Sequence, residues 1–193
     1  RDSRLRTSVL VETNGNRILL DCRPDFRQQM SHIPFDKLDA ILLSHEHYDH
    51  VSGIDDLRPF CKYGNINIYA EPNVATAIRT RIPYCFGENL YPGVPRIVTN
   101  KIDINTPFVI NNTEIIPIRV LHGKLPIAGY RIGNMAYLTD VSLIPEEEYA
   151  KLQNLELLIM GALRWEKHPS HQSVDKTIEK AQRINAKQTY FIH

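Results

Sequence analysis

The spacing of apolar and polar positions changes several times along the chain, and each change marks an element. "RTSVLVETNGNRILLDC" sets two β-branched, apolar-rich runs on either side of Asn14-Gly15. That dipeptide suits the positive φ angles of a type I′ turn, so the segment predicts a β-hairpin. In "PDFRQQMSHI", Phe26, Met30 and Ile33 fall at helical spacing, with Pro24 near the start. "LDAILLSH" is a short continuous apolar run, the pattern of a buried strand. His45 then stands at a strand's carboxyl end, and "EHYDHVSG" reads as a loop leading into a helix around "IDDLRPFC".

Further on, "INIYAE" predicts a strand and "NVATAIRTRI" a helix. "FVINNTEIIPIRVLHG" reads as a hairpin turning at Asn111-Asn112, and "IAGYRIGNMAYLTD" as another turning at Gly133-Asn134. "PEEEYAKLQ" predicts a short helix, with Pro145 suited to its first turn and acidic residues near its positive end. "LELLIMGAL" is a buried strand and "QTYFIH" a last one. Between them, "SVDKTIEKAQRINA" is an amphipathic helix with Val174, Ile178 and Ala181 on one face and Ser173 as its N-cap. Hairpins followed by alternating helix and strand predict two sheets with helices packed outside, an αββα layering. No repeat, low-complexity segment or linker divides the chain, so residues 1–193 are expected to form a single domain.

Composition narrows the partners more than the fold. With 193 residues, 42% of them hydrophobic, the chain can bury a sizeable core. Its 23 basic and 22 acidic residues leave a formal net charge of +1. That sum supplies no electrostatic case for a nucleic-acid or membrane partner, although a local basic patch would not show in it. Cys22, Cys61 and Cys85 are odd in number, far apart and free of any CxxC pattern, which argues against a disulfide framework or a cysteine zinc knuckle. No apolar stretch approaches membrane-spanning length, and "RDSRLRTS" is unlike a signal peptide; a cytoplasmic location is expected.

The chemistry lies in the histidines. Five of the eight end apolar runs or follow one: His45, His47, His50, His122 and His193; Asp140 ends another such run, "NMAYLTD". "HEHYDH" packs three histidines and an aspartate into six residues. Neighbouring imidazoliums repel, and neutral rings still need partners, so the cluster must be compensated. A divalent metal does so, because it takes neutral imidazole and carboxylate at one centre. Taken singly, His122 would read as a surface residue, Asp140 as a turn residue and His193 as a terminus. Their order and strand-end placement point instead to one cleft at the strands' carboxyl ends.

"SHEHYDH" resembles the HxHxDH motif of the metallo-β-lactamase fold superfamily, and His122, Asp140 and His193 follow in that superfamily's ligand order. "RTSVLVET", "DFRQQM", "HVSGIDDLRPF" and "HPSHQS" resemble a narrower branch, the PhnP-like phosphodiesterases that cleave cyclic ribose phosphates. The resemblance implies a four-layer αββα sandwich with two divalent metal ions, Zn²⁺ ahead of Mn²⁺. His45, His47 and His122 would hold one ion and Asp49, His50 and His193 the other, with Asp140 bridging. Asp21 resembles the family aspartate that orients a ligand histidine. Asp49 would also orient the attacking hydroxide, and His171 would act as general acid, with His168 its competitor in the same interval. His32 reads as an ordinary exposed helix residue. Arg58, Lys124 and Arg164 are candidate phosphate contacts, although Arg58 pairs equally well with Asp55 one turn away.

Two departures stand out. Arg23 occupies a position where the narrower branch commonly has glycine; if that glycine supplies a positive φ, Arg23 must strain or redirect the loop. Relatives also usually begin with a further strand and a cysteine cluster that holds a structural zinc, so the chain is expected to lack its first strand and to be truncated at both ends.

The implied activity is metal-dependent hydrolysis of a small cyclic phosphate or nucleotide. A nuclease of the tRNA 3′-processing type and an acyl or thioester hydrolase are the alternatives on the same site. A di-iron redox protein fits poorly, because such relatives usually carry glutamate where His47 stands. A homodimer is compatible with the resemblance.

Overall fold

The computed structural model describes residues 4–87 and 90–192. It is a mixed α/β structure with two sheets, and its contacts form two compact units, one ending at Ile102 and the other starting at Asp103.

In the first unit, β1 (Val9–Thr13) and β2 (Asn16–Leu20) pair antiparallel, with Thr13 opposite Asn16. Asn14 (φ 52°) and Gly15 (φ 76°) make the positive-φ turn that their identities predict. Three parallel strands then extend the sheet: β3 (Ala40–Leu42), β4 (Ile66–Ala70) and β5 (Ile97–Lys101), in the order β1-β2-β3-β4-β5. Ile18, Leu19 and Leu20 are all buried, as are Ala40, Ile41 and Leu42, so β2 and β3 are covered on both faces, as unbroken apolar runs require. One face packs Leu19, Ile41 and Ile68 against Phe26, Leu57, Phe60, Val74 and Ile78.

The helices of this unit are shorter and tighter than their spacing predicts. Helix α1 covers only Phe26–Met30, leaving Ile33 outside it and exposed. Ile33 precedes Pro34, whose ring disfavours helical backbone at the residue before it. "EHYDHVSG" is not all loop: Tyr48–Val51 forms helix α2. Ile54–Tyr63 is a 3₁₀ helix around Pro59. Helix α3, Pro72–Arg81, forms as expected with proline in its first turn. Strand β5 carried no clear signal, since "IVTNK" is half polar.

The second unit opens with an antiparallel meander: β6 (Phe108–Ile110), β7 (Thr113–His122), β8 (Leu125–Ile132) and β9 (Met135–Leu138). Asn111 (φ 52°) and Gly133 (φ 56°) supply the turns. Strands β10 (Leu157–Gly161) and β11 (Gln188–Ile192) continue in parallel, completing the order β11-β10-β9-β8-β7-β6. Helix α4, Val174–Ile184, starts after Ser173 and ends at the left-handed Asn185, but the Ser173 side chain makes no capping bond. Glu146–Leu152 is again a 3₁₀ helix. The core gathers Ile118, Val120, Leu138, Leu158, Met160 and Ile184.

Hairpins are therefore not grouped ahead of the parallel strands. Each unit starts antiparallel and ends parallel, which aims several carboxyl ends at one sheet edge. In each unit the candidate ligands lie at that edge of its own sheet.

Candidate functional site

In the first unit the site begins where β2 and β3 end side by side. Asp21 follows β2, and its N–H donates to the Leu42 carbonyl at 2.9 Å. Its φ of 55° is unusual for a residue other than glycine. The positive φ beside the ligands thus falls on Asp21, whereas Arg23 is not among the positive-φ residues. The loop strain considered for Arg23 is absent.

That backbone turns the Asp21 carboxylate inward, where it is fully buried. It accepts from the Ser44 N–H (2.9 Å) and the Ser44 hydroxyl (2.9 and 3.0 Å), and lies 2.8 Å from Nδ1 of His50. Burial alone pushes its pKa up; the attraction of His50 and Arg23 and the bonds from His50 and Ser44 outweigh it and hold the group below its ordinary value. An ionised Asp21 only accepts, so the single Ser44 hydroxyl proton points at it. The Ser44 oxygen is then an acceptor for Nδ1–H of His45, 2.9 Å away. This relay places the lone pair of His45 on Nε2, the nitrogen a metal would take. The serine before the motif was missed in the sequence; its only signal is a small hydroxyl residue between the strand and the first histidine.

Nε2 of His45 lies 3.0 Å from Nδ1 of His47. Two imidazole nitrogens that close suit a shared cation better than each other. Helix α2 follows, its N–H groups closing on the His47 and Tyr48 carbonyls, and sets Asp49 beside His50. Asp49 Oδ2 is 3.2 Å from His50 Nε2; the His50 side chain is buried and that of Asp49 half exposed. The turn seats against the Cys22–Arg23 backbone because residue 53 is glycine: a Cβ there would stand 2.2 Å from the Arg23 carbonyl oxygen.

In the second unit His122 ends β7 and is buried. Its Nδ1 bonds the Ser170 carbonyl at 2.8 Å, which leaves the Nε2 lone pair 3.9 Å from Oδ2 of Asp140. Asp140 follows β9 with a φ of 49°, a second left-handed aspartate at a strand end. Gly161 lets β10 pass it closely, since a Cβ there would meet the Asp140 nitrogen at 2.9 Å. The His171 ring centroid lies 4.4 Å from that of His122; His168 stands behind, 5.0 Å from His171. His193 follows β11 in sequence and lies outside the described residues.

The candidate phosphate contacts are less convincing. Arg58 is engaged with Asp55, at 2.8 and 2.7 Å, so the pairing on its own helix prevails. Lys124 is exposed in the β7–β8 turn, and Arg164 is exposed with a bond to the Lys167 carbonyl. The three cysteines are free. Burial raises the Cys22 thiol far above its ordinary value and pushes Cys85 up to about 11, so neither is a thiolate near neutrality.

The β-lactamase superfamily domain model matches residues 16–193. The chain belongs to this superfamily. It is 34% identical to a crystallised diphosphatase of the PhnP family, with a TM-score of 0.89 over 98% of this chain and 73% of that one. Human tRNase Z, short form, shares the fold at 18% identity, with a TM-score of 0.78 over 100% of this chain and 87% of that one. A Porphyromonas gingivalis protein named octanoyltransferase is 45% identical along the whole chain, which spans only 39% of that relative. The fold is therefore the metallo-β-lactamase fold, and the superfamily is one of metal-dependent hydrolases. Among the described residues, no helix is long and apolar enough to cross a membrane.

The donor chemistry suits the divalent metal that this family implies. His45, with its Nε2 presented by the Ser44–Asp21 relay, and His47 suit a divalent ion as they stand. Asp49 and His50 also belong to a group that could hold an ion, and Arg23 lies beside them, with one guanidinium nitrogen 2.9 Å from His50 Nε2 and the other 3.9 Å from Asp49 Oδ2.

Proposed function

We propose that this domain is a metal-dependent phosphodiesterase acting on a small cyclic phosphate or nucleotide in the cytoplasm. The observation that carries the reading is the relay-oriented HxHxDH segment, in a chain 34% identical over 98% of its length to a PhnP-family diphosphatase. Following the superfamily's ligand order, His45, His47 and His122 would hold an ion, with Asp140 beside them. Zn²⁺ is the favoured ion and Mn²⁺ the alternative. When bound, the ion would supply a water acidic enough to ionise near neutral pH and would offset phosphoryl charge. Asp49 orients the attacking oxygen. His171, against His122, donates a proton to the departing alkoxide. A second ion on Asp49, His50 and His193 follows from the same ligand order, giving two ions per chain.

Acyl hydrolysis is the second reading, favoured by the name of the P. gingivalis relative, although most of that protein lies beyond the matched segment. A screen of the metal-saturated protein on bis-p-nitrophenyl phosphate, cyclic nucleotides and acyl thioesters separates the two. Turnover of the phosphodiesters is expected. Thioester turnover alone would favour the second reading.

A further inference from the structure

We infer that a pocket beside the HxHxDH segment takes the base of a nucleotide substrate, with Tyr48 and Tyr84 as the rings on which that base stacks. This deepens the phosphodiesterase reading above and rests on it for the phosphate. The pocket has a volume of about 270 Å³ and is lined wholly by residues of the first unit, from helix α2, the start of the 3₁₀ helix at Ile54 and the end of α3. Whole small molecules fill pockets of about 300–1,000 Å³, so this one suits a single ring system.

The ligand segment builds the pocket as it builds the site. On α2, positions three and four apart share a face, so Tyr48 turns with Val51 and Ser52 and away from His50. Those three line the pocket, while His50 is buried against Asp21. Tyr48 stands between the candidate ligands His47 and Asp49 in the chain. A nucleotide carries its base one sugar away from its phosphate, so a phosphate held by the ligand segment leaves the base within reach of Tyr48. Arg81, also in the lining, donates from Nη1 to the Glu46 carbonyl and so ties the end of α3 to the same segment.

The lining is that of a stacking site. Val51, Ile54 and Ile78 give it buried apolar side chains. Tyr48 is 70% exposed and Tyr84 46%, so neither ring contributes its full area to the core. Isolated exposed aromatics are ordinary, but two on one pocket mark a surface that gains by being covered. Every base has a π-face, so rings of this kind hold a base without demanding one sequence. Tyr84 is held in place before a ligand arrives: its hydroxyl donates to Asp55 Oδ1 at 2.8 Å, and Arg58 holds the same carboxylate at 2.8 and 2.7 Å. Burial and the bond to Asp55 push the Tyr84 phenol up to about 12, so it keeps that proton near neutrality. Arg81 adds a guanidinium, which can lie on a ring or donate to its edge.

The test compares two cyclic diesters on the metal-saturated protein: 2′,3′-cyclic AMP, and glycerol 1,2-cyclic phosphate, which has the cyclic phosphate and no base. We expect kcat/KM of the wild type to favour the nucleotide, and Tyr48→Ala or Tyr84→Ala to cut that preference roughly tenfold, mostly through KM. Tyr48→Phe keeps the ring and should retain the preference. Both positions are exposed, where substitutions usually cost little stability. Saturation-transfer NMR with adenosine on the chelated protein probes the pocket without metal. Transfer to the base protons is expected in the wild type and should be lost when Tyr48→Ala and Tyr84→Ala are combined. A preference unchanged in both alanine variants would overturn the proposal, as would adenosine signals that survive the double substitution or are missing from the wild type. If the wild type turns over neither diester, the phosphodiesterase reading fails instead, and the adenosine signals alone decide whether the pocket takes a base.

Discussion

Single residues do much of the arranging here. The Ser44 hydroxyl, committed to Asp21, is the acceptor that fixes His45 in the tautomer with Nε2 outward. Removing an acceptor of this kind typically weakens metal binding 10–100-fold, so Ser44→Ala should raise the Zn²⁺ dissociation constant by at least about tenfold in a chelator competition. An unchanged constant would mean that the tautomer is set elsewhere. His171 separates phosphodiester from acyl chemistry, because an alkoxide needs a proton to leave and p-nitrophenolate does not. His171→Ala should slow an alkyl phosphodiester about 10²-fold more than an activated aryl one, and His168→Ala should show no such difference. Equal losses on both substrates would make His171 a structural residue.

At the scale of elements, the site depends on how closely α2 seats on the β2 end. Gly53 has ordinary right-handed backbone (φ −80°), so its need is for space rather than for a special conformation. A Cβ at 2.2 Å from the Arg23 carbonyl oxygen forces backbone apart, and overpacking of this kind costs about 1–3 kcal/mol. Gly53→Ala should lose that much stability in urea unfolding, and Zn²⁺ affinity should fall with it. Turns were the most legible elements in the sequence, because Asn14-Gly15, Asn111 and Gly133 announce positive φ by residue type. Helix lengths were not legible: Pro34 stops α1 before Ile33, and the segment around Pro59 tightens into a 3₁₀ helix. Strand β5 was invisible because hydrophobic periodicity is weak in "IVTNK".

At the scale of the whole molecule, each unit repeats one plan, antiparallel strands first and parallel strands last. Asp21 and His45 follow parallel strands of one sheet; His122 and Asp140 stand at the ends of like-directed strands of the other. This is why candidate ligands scattered over a hundred residues show a common placement at strand ends in the sequence, which together with the HxHxDH motif and its ligand order singled them out. The burial of Arg23 could not be, since an arginine after an aspartate-ended strand reads as a solvated loop residue; its partner His50 lies 27 positions away. The central claim is metal-dependent phosphodiester hydrolysis, and kcat/KM of the full chain on a cyclic nucleotide tests it most directly. The metal-saturated protein should turn the nucleotide over, lose activity on chelation and regain it when Zn²⁺ or Mn²⁺ is restored. A rate unaffected by chelation, or hydrolysis confined to acyl thioesters, would contradict the account.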